Sequence, residues 1–162
     1  MRTTCYFVLA TILLSGCSFQ VPVEDQPAMD ADAVGSEEVL VFFRNSAAVE
    51  AVNAEFYVGA GPLTEIPDDL YVPDNLVTAD LGVAGTGILE PFDTDALLLP
   101  CTPDLVIGTT GGTFSDNETG EVRGVGERRW VQAAAVGFCG REVVFDYAAE
   151  GEGFLTRITV GP

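Results

Sequence analysis

The chain has 162 residues, with 25 Asp and Glu against 7 Arg, no Lys and no His, for a net charge of −18. One domain is expected at this length, and so acidic a chain repels phosphate backbones, which argues against nucleic acid as a partner. The lack of His excludes Ser-His-Asp and Cys-His catalysis and His-ligated zinc, while 48% hydrophobic residues is too many for a wholly disordered chain.

Residues 1–17 read MRTTCYFVLATILLSGC. Arg2 supplies a positive start, and Cys5 to Leu14 is an apolar stretch of about ten residues, suited to a signal peptide and too short to span a bilayer. It ends in Leu14-Ser15-Gly16-Cys17, which resembles the lipobox of bacterial lipoproteins. That resemblance implies a diacylglycerol on the Cys17 thiol, removal of residues 1–16 and acylation of the new amine. Multiple acyl chains give stable anchoring where a single one is marginal. Ser18 stands where an Asp would favour inner-membrane retention, so the resemblance points to the outer membrane or cell surface. An ordinary secretory signal with a chance Cys is the plainer alternative.

Residues 17–37 are expected to form the lipidated Cys and an acidic tether. They carry Glu24, Asp25, Asp30, Asp32 and Glu37 with no basic residue, and Pro22 and Pro27 interrupt any helix. A flexible segment of about twenty residues reaches roughly 25 Å. A plain spacer is the simple reading, and an acidic docking strip or loose cation site at Asp30 and Asp32 is the sharper one.

Residues 38–162 read as one all-β domain, with β-branched and aromatic runs between Gly, Pro and Asp clusters. Glu38–Asn45 is apolar on both faces until Arg44, which predicts a central strand, with Asn45–Ala48 as a hairpin turn after it. Val49–Gly59 alternates, placing Val52, Ala54, Phe56 and Val58 on one face of a half-buried strand. A long Pro- and Gly-containing connection follows, with one helical turn near Asp68–Tyr71. Val77–Val83, Gly87–Pro91, Ala96–Leu99 and Asp104–Thr110 are predicted strands, and Thr113-Phe114 adds a short piece. Val125–Val136 is predicted as a strand whose Ala133–Ala135 end is compatible with helix. Arg141–Ala148 groups Val143, Phe145 and Tyr147, and Gly153–Val160 groups Phe154, Ile158 and Val160. Asp116–Gly120 and Glu150–Gly153 suit hairpin turns. Seven to nine strands packed as a single antiparallel β-sandwich, immunoglobulin-like or jelly-roll-like, bury this pattern most simply.

Cys5 leaves with the signal and Cys17 is lipidated, which leaves Cys101 and Cys139 as a pair. In an oxidising compartment a disulfide is expected, with two separate buried thiols as the alternative. Closing a 38-residue loop contributes about 4 kcal/mol on the chain-entropy argument.

Groups that carry chemistry are sparse. Gly85-Thr86-Gly87 and Gly124-Val125-Gly126 lack the setting of a phosphate cradle and read as turns or bulges. Carboxylates cluster at Asp68-Asp69, at Asp93 with Asp95, and at Asp116 with Glu118 and Glu121. The segment Asp116-Asn117-Glu118-Thr119-Gly120 is similar to a calcium loop, which needs six to eight oxygens, but its Gly falls one place early and no helices flank it. A solvated hairpin turn is expected there, with calcium on Asp116 and Glu118 as the alternative; no cofactor is otherwise implied. Arg128-Arg129-Trp130 is the basic-aromatic cluster. In a strand Arg128 and Trp130 share a face, giving either a recognition patch for a carboxylated or sugar ligand or a core Trp whose arginines pair with surface acids. Tyr57, Tyr71 and Tyr147 are further candidates for a sugar site, and half-buried packing is the plainer reading of each.

The mature domain also resembles short, acidic β-domain lipoproteins of planctomycetes, a group with no assigned activity. The shared features are Asn45-Ser46 after the first strand, one Cys before a middle strand and Phe138-Cys139-Gly140 before a late strand. The leading expectation is a non-catalytic, lipid-anchored envelope protein with a structural or interaction role. A carbohydrate- or peptidoglycan-binding module, calcium-assisted or not, is the second reading, and a small carboxylate-dependent hydrolase is the third.

Overall fold

The computed structural model describes residues 35–77, 82, 86–151 and 153–162. The expected signal peptide, Cys17, the expected tether before Gly35 and most of the predicted strand Val77–Val83 lie outside the described residues. The described chain is an all-β sandwich. Its strands are β1 (Glu38–Asn45), β2 (Glu50–Asn53), β3 (Phe56–Gly59), β4 (Ile88–Leu89), β5 (Thr94–Pro100), β6 (Val106–Thr109), β7 (Thr113–Asp116), β8 (Val122–Val125), β9 (Arg129–Gln132), β10 (Glu142–Glu150) and β11 (Gly153–Val160). One helical turn, α1 (Ala133–Val136), follows β9 and closes on Gly137, whose left-handed backbone returns its N–H to the Ala133 carbonyl.

The first layer has the order β11-β10-β1-β5. β1 is central, as its two apolar faces require: Val39, Leu40, Val41 and Phe43 are all at most 1% exposed. It pairs antiparallel with β5 and parallel with β10. That ladder is the single parallel pairing among the described strands of an otherwise antiparallel sandwich, as the alternating pattern predicts. Between β1 and β10 the chain builds β5 in this layer and all of the other layer, and β10 runs in the same direction as β1. The Asn45–Ala48 hairpin expectation is corrected. β1 and β2 belong to different sheets, so this segment is a crossing between layers, not a hairpin. Asn45 holds the crossing. Its buried Nδ2 lies 2.8 Å from the Glu50 carbonyl oxygen, 3.1 Å from that of Leu89 and 3.0 Å from that of Glu90, and its Oδ1 accepts the Ala47 N–H.

The second layer comprises two sheets, β4-β2-β7-β8 and β3-β6-β9. Three stretches of chain, residues 50–59, 106–116 and 122–132, each contribute one strand to both. They pass from sheet to sheet at Ala54-Glu55, Thr110–Gly112 and Gly126–Arg128. The layer is thus one broad sheet folded across a common line, the kind of corner that strands make when they switch sheets. Gly111 and Gly112 have φ of 104° and 69°, a left-handed backbone that side chains resist. This bend explains why eleven strands appear where seven to nine were expected: Val49–Gly59 divides into β2 and β3, and Val125–Val136 divides into the end of β8, β9 and α1. The alternation predicted for Val49–Gly59 persists through the break, with Val52, Ala54 and Phe56 all fully buried.

Phe43 from β1, Phe56 from β3 and Phe145 from β10 meet between the layers, with ring centroids 4.6, 5.8 and 5.4 Å apart. Phe114 of β7 stacks on Phe154 of β11 at 4.4 Å. Each buried aromatic of this kind contributes about 1.5–3 kcal/mol of transfer free energy. Cys101 follows β5 and Cys139 precedes β10, and their sulfurs lie at bonding distance across the start of β1. The Cys101 and Gly140 N–H groups donate to the Glu37 and Glu38 carbonyls there. Hairpins at Asp116–Gly120 and Glu150–Gly153 join β7 to β8 and β10 to β11, as the turn residues predict.

Candidate recognition face on the β3-β6-β9 sheet

Cross-strand register assembles this face. Tyr57 pairs with Gly108, which pairs with Trp130. One step beyond the ladder, Glu55, Thr110 and Arg128 form a parallel row on the same side, because residues two apart in a strand share a face. Thr110 Oγ1 donates to Glu55 Oε2 at 2.6 Å, closing that row from one strand to the next. The opposite side of the sheet carries Phe56 and Ile107 into the core.

The connection between β3 and β4 lies over this outer side. Leu70 fills the space that Gly108 leaves open: a Cβ on Gly108 would lie 2.9 Å from Leu70 Cδ2 and 2.8 Å from Trp130 Cβ. Tyr71 pins the segment, its hydroxyl lying 3.1 Å from the Thr109 carbonyl oxygen and 3.0 Å from that of Arg129. Asn75 Nδ2 donates within the loop to the carbonyls of Asp69 and Leu70. Tyr57 meets Tyr71 edge to face at 5.2 Å. The Arg128 guanidinium carbon sits 5.4 Å from the centre of the Tyr71 ring, within cation–π range. Trp130 is 40% exposed beside them.

Charge on this face is unevenly balanced. Arg44, Arg123, Arg129 and Arg157 make ion pairs. Among the described residues no carboxylate reaches salt-bridge distance of Arg141, which meets the Gly137 carbonyl, or of Arg128, which lies over the Tyr71 ring. Burial pushes the Tyr71 phenol up to about 12, against the opposing pull of Arg128. Burial, then the Glu55 charge, also raises Tyr57. Both rings are neutral at ordinary pH and serve as donors and surfaces.

The sequence readings sort clearly against this geometry. Arg128 and Trp130 do share a face, and Trp130 is half-exposed instead of central to the core. Arg129 takes the other face, pairing with Glu127 and donating its Nε to the Thr156 carbonyl. Tyr57 and Tyr71 join the cluster. Tyr147 does not: it is fully buried, with its hydroxyl 3.2 Å from Thr109 Oγ1. The Arg128–Tyr71 contact escaped sequence reasoning because the two residues stand far apart in the chain. Glu55 carried no signal beyond its place in an alternating strand.

Asp116, the first residue of the calcium alternative, is engaged by its own turn, to which Glu118 contributes its backbone N–H. Asp116 Oδ1 accepts from the Glu118 N–H, the Thr119 N–H and the Thr119 hydroxyl, while Oδ2 accepts from Arg123 at 2.8 Å. Arg123 first, then the turn's own donors, hold this carboxyl far below the usual range. Its oxygens therefore organise the β7–β8 turn. Asp69 does likewise for the loop start, accepting from the Thr64 and Glu65 N–H groups and the Thr64 hydroxyl. Among the described residues no group of three or more acids or cysteines is arranged to hold a metal. A shallow cleft of about 330 Å³ lies between the β7–β8 hairpin and β10–β11, bordered by Val49, Asp116, Arg123 and Phe154.

Two features went unread in the sequence. Asp146 of β10 lies between Arg44 of β1 and Arg157 of β11 in register, bonded to Arg44 Nε at 3.0 Å and to the Ser46 hydroxyl. Phe92 occupies the left-handed region with φ of 64° and is 71% exposed at the tip of the β4–β5 turn. No protein-family model matches the chain, and no curated protein matches it either.

Proposed function

We propose that this protein is a lipid-anchored component of the cell envelope whose β-sandwich is a non-catalytic interaction module. The observation that carries the reading is the Cys101–Cys139 pair, whose sulfurs lie at bonding distance immediately beside the point where the acidic tether joins β1. Disulfides persist in oxidising compartments, which agrees with the export and Cys17 lipidation that the lipobox implies. Anchor, spacer and stapled domain then follow one another along the chain. The interaction duty falls to the outer side of β3-β6-β9, where a half-exposed Trp130 stands with Arg128, which pairs with none of the described carboxylates.

The test is metabolic labelling with an alkyne fatty acid in a bacterial host, followed by membrane fractionation. The wild-type chain is expected to take the label and sediment with membranes, and Cys17→Ala to lose both properties. Labelling that survives Cys17→Ala, or a wild-type chain without label, overturns the lipoprotein reading. Protease treatment of intact cells then reports which side of the membrane carries the domain.

A further inference from the structure

We infer that the Arg128–Trp130 face binds one residue of a carboxylated sugar, with the carboxylate on Arg128 and the pyranose ring on the Trp130 indole. This rests on the interaction reading above and gives it a ligand class.

Three observations favour this chemistry. Arg128 presents a guanidinium that no described carboxylate neutralises, in a chain with 25 acids to choose from. Its guanidinium carbon lies 5.4 Å from the centre of the Tyr71 ring, a contact that narrows the side chain's range, and a guanidinium offers paired donors that match the two oxygens of a carboxylate. Trp130, two residues further along an extended chain, lies about 7 Å away at the backbone, a spacing comparable to a single hexuronic acid. Its exposed ring offers an apolar surface with a polar edge. Glu55, at the other end of the Arg128 row, accepts from Thr110 and is placed to accept from sugar hydroxyls as well.

The charge of the molecule narrows the class further. A field of −18 repels a phosphate monoester, which carries nearly two charges, more strongly than it repels a single carboxylate. Glu55 adds to that penalty locally. A neutral sugar would leave Arg128 without a counter-charge. A monoanionic sugar ring meets the cation, the aromatic surface and the acceptor together.

Trp130 is the sole tryptophan of the chain, so its fluorescence reports this face directly. The experiment titrates the full chain with galacturonate and glucuronate oligosaccharides, with neutral gluco-oligosaccharides, and with acetate. Acidic oligosaccharides are expected to change the emission saturably, and neutral ones to bind about 10-fold more weakly or worse, the loss of one charge-assisted bidentate contact. Arg128→Gln is expected to bring acidic oligosaccharides down to the neutral level, and Arg128→Lys to fall between, because Lys keeps the charge but not the fork. Calorimetry with Trp130→Phe checks the ring contribution without relying on fluorescence.

Equal affinity for neutral and acidic oligosaccharides, unchanged binding by Arg128→Gln, or acetate binding as tightly as the sugars each overturns the inference. So does the lack of any saturable change up to about 10 mM, a concentration that would reveal even millimolar affinity. In that case Arg128 and Tyr71 serve only to fasten the loop. Labelling at Cys17 is read independently of emission at Trp130, so either proposal can fail while the other stands.

Discussion

Gly111 and Gly126 meet backbone against backbone at the fold line of the second layer. A Cβ on Gly126 would lie 2.1 Å from the Gly111 carbonyl oxygen, and one on Gly111 would lie 2.2 Å from the Gly126 carbonyl oxygen. Two strands cross the bend side by side here, and the Gly126 N–H donates to Gly112 at 3.0 Å. Neither glycine has room for a methyl group, and the obstacle is main chain that cannot rotate away. Gly126→Ala is therefore expected to lower stability by about 1–3 kcal/mol, the usual cost of overpacking. Gly153→Ala, with its nearest obstacle at 3.7 Å, is the control and should stay within about 0.5 kcal/mol of wild type. Thermal melts of the two variants compare them directly.

Phe92 gives the opposite expectation. It is the exposed second corner of a turn whose Asp93 N–H donates to the Glu90 carbonyl, with Pro91 at the first corner. A turn of this kind needs a positive φ at its second corner, a position suited to Gly or Asn. Phe92→Asn is expected to raise stability by about 0.5–1 kcal/mol, because little buried area is lost and the left-handed strain is relieved. A chemical denaturation midpoint that moves down would contradict this.

The Asp116 turn sets part of the acid limb. Its carboxyl is depressed in the folded state by Arg123 and the turn donors. A depressed carboxyl stabilises the fold above the unfolded Asp value of about 3.9, and that contribution is lost as pH falls through the folded value. Asp116→Asn is expected to melt below wild type at pH 7, with the gap narrowing as pH is lowered from 4 towards 2. A gap of constant size across that range would count against the assignment.

Reduction of Cys101 and Cys139 reopens a loop with a sequence separation of 38. The expected loss is about 4 kcal/mol through the entropy of the unfolded chain. The double variant Cys101→Ser/Cys139→Ser should show a similar drop in denaturant midpoint, and reducing agent should then have no further effect on it.

Salt should act in the opposite direction to its effect on a protein held by surface ion pairs. The net charge is −18, and self-repulsion of this size is screened at high ionic strength. The melting temperature is expected to rise between 0.05 and 1 M sodium chloride, and a flat or falling curve would refute the expectation.

Much of the layer structure was legible because burial imposes a period of two. β1, β10 and β11 follow the alternation and runs read from Glu38–Asn45, Arg141–Ala148 and Gly153–Val160. The bend was not legible at Ala54-Glu55, since Val52, Ala54 and Phe56 keep pointing to the core while their partners change from β7 to β6. Its traces were present in Gly111-Gly112 and Gly124-Val125-Gly126, but glycines alone do not say which strands they align. At the candidate face, the shared side of Arg128 and Trp130 followed from strand geometry. Tyr71 reaches that side only through a loop, where no periodicity applies.

The entry of the chain into β1 also has a mechanical meaning. Tension applied through the residues before Glu37 would reach the fold at β1, the central strand of its sheet. β1 is flanked by an antiparallel and a parallel ladder, so drawing it out breaks hydrogen bonds to two neighbours. The Cys101–Cys139 pair joins the two flanking strands at that same end. The domain is thus reinforced at the end where a pull through the chain before Glu37 would arrive.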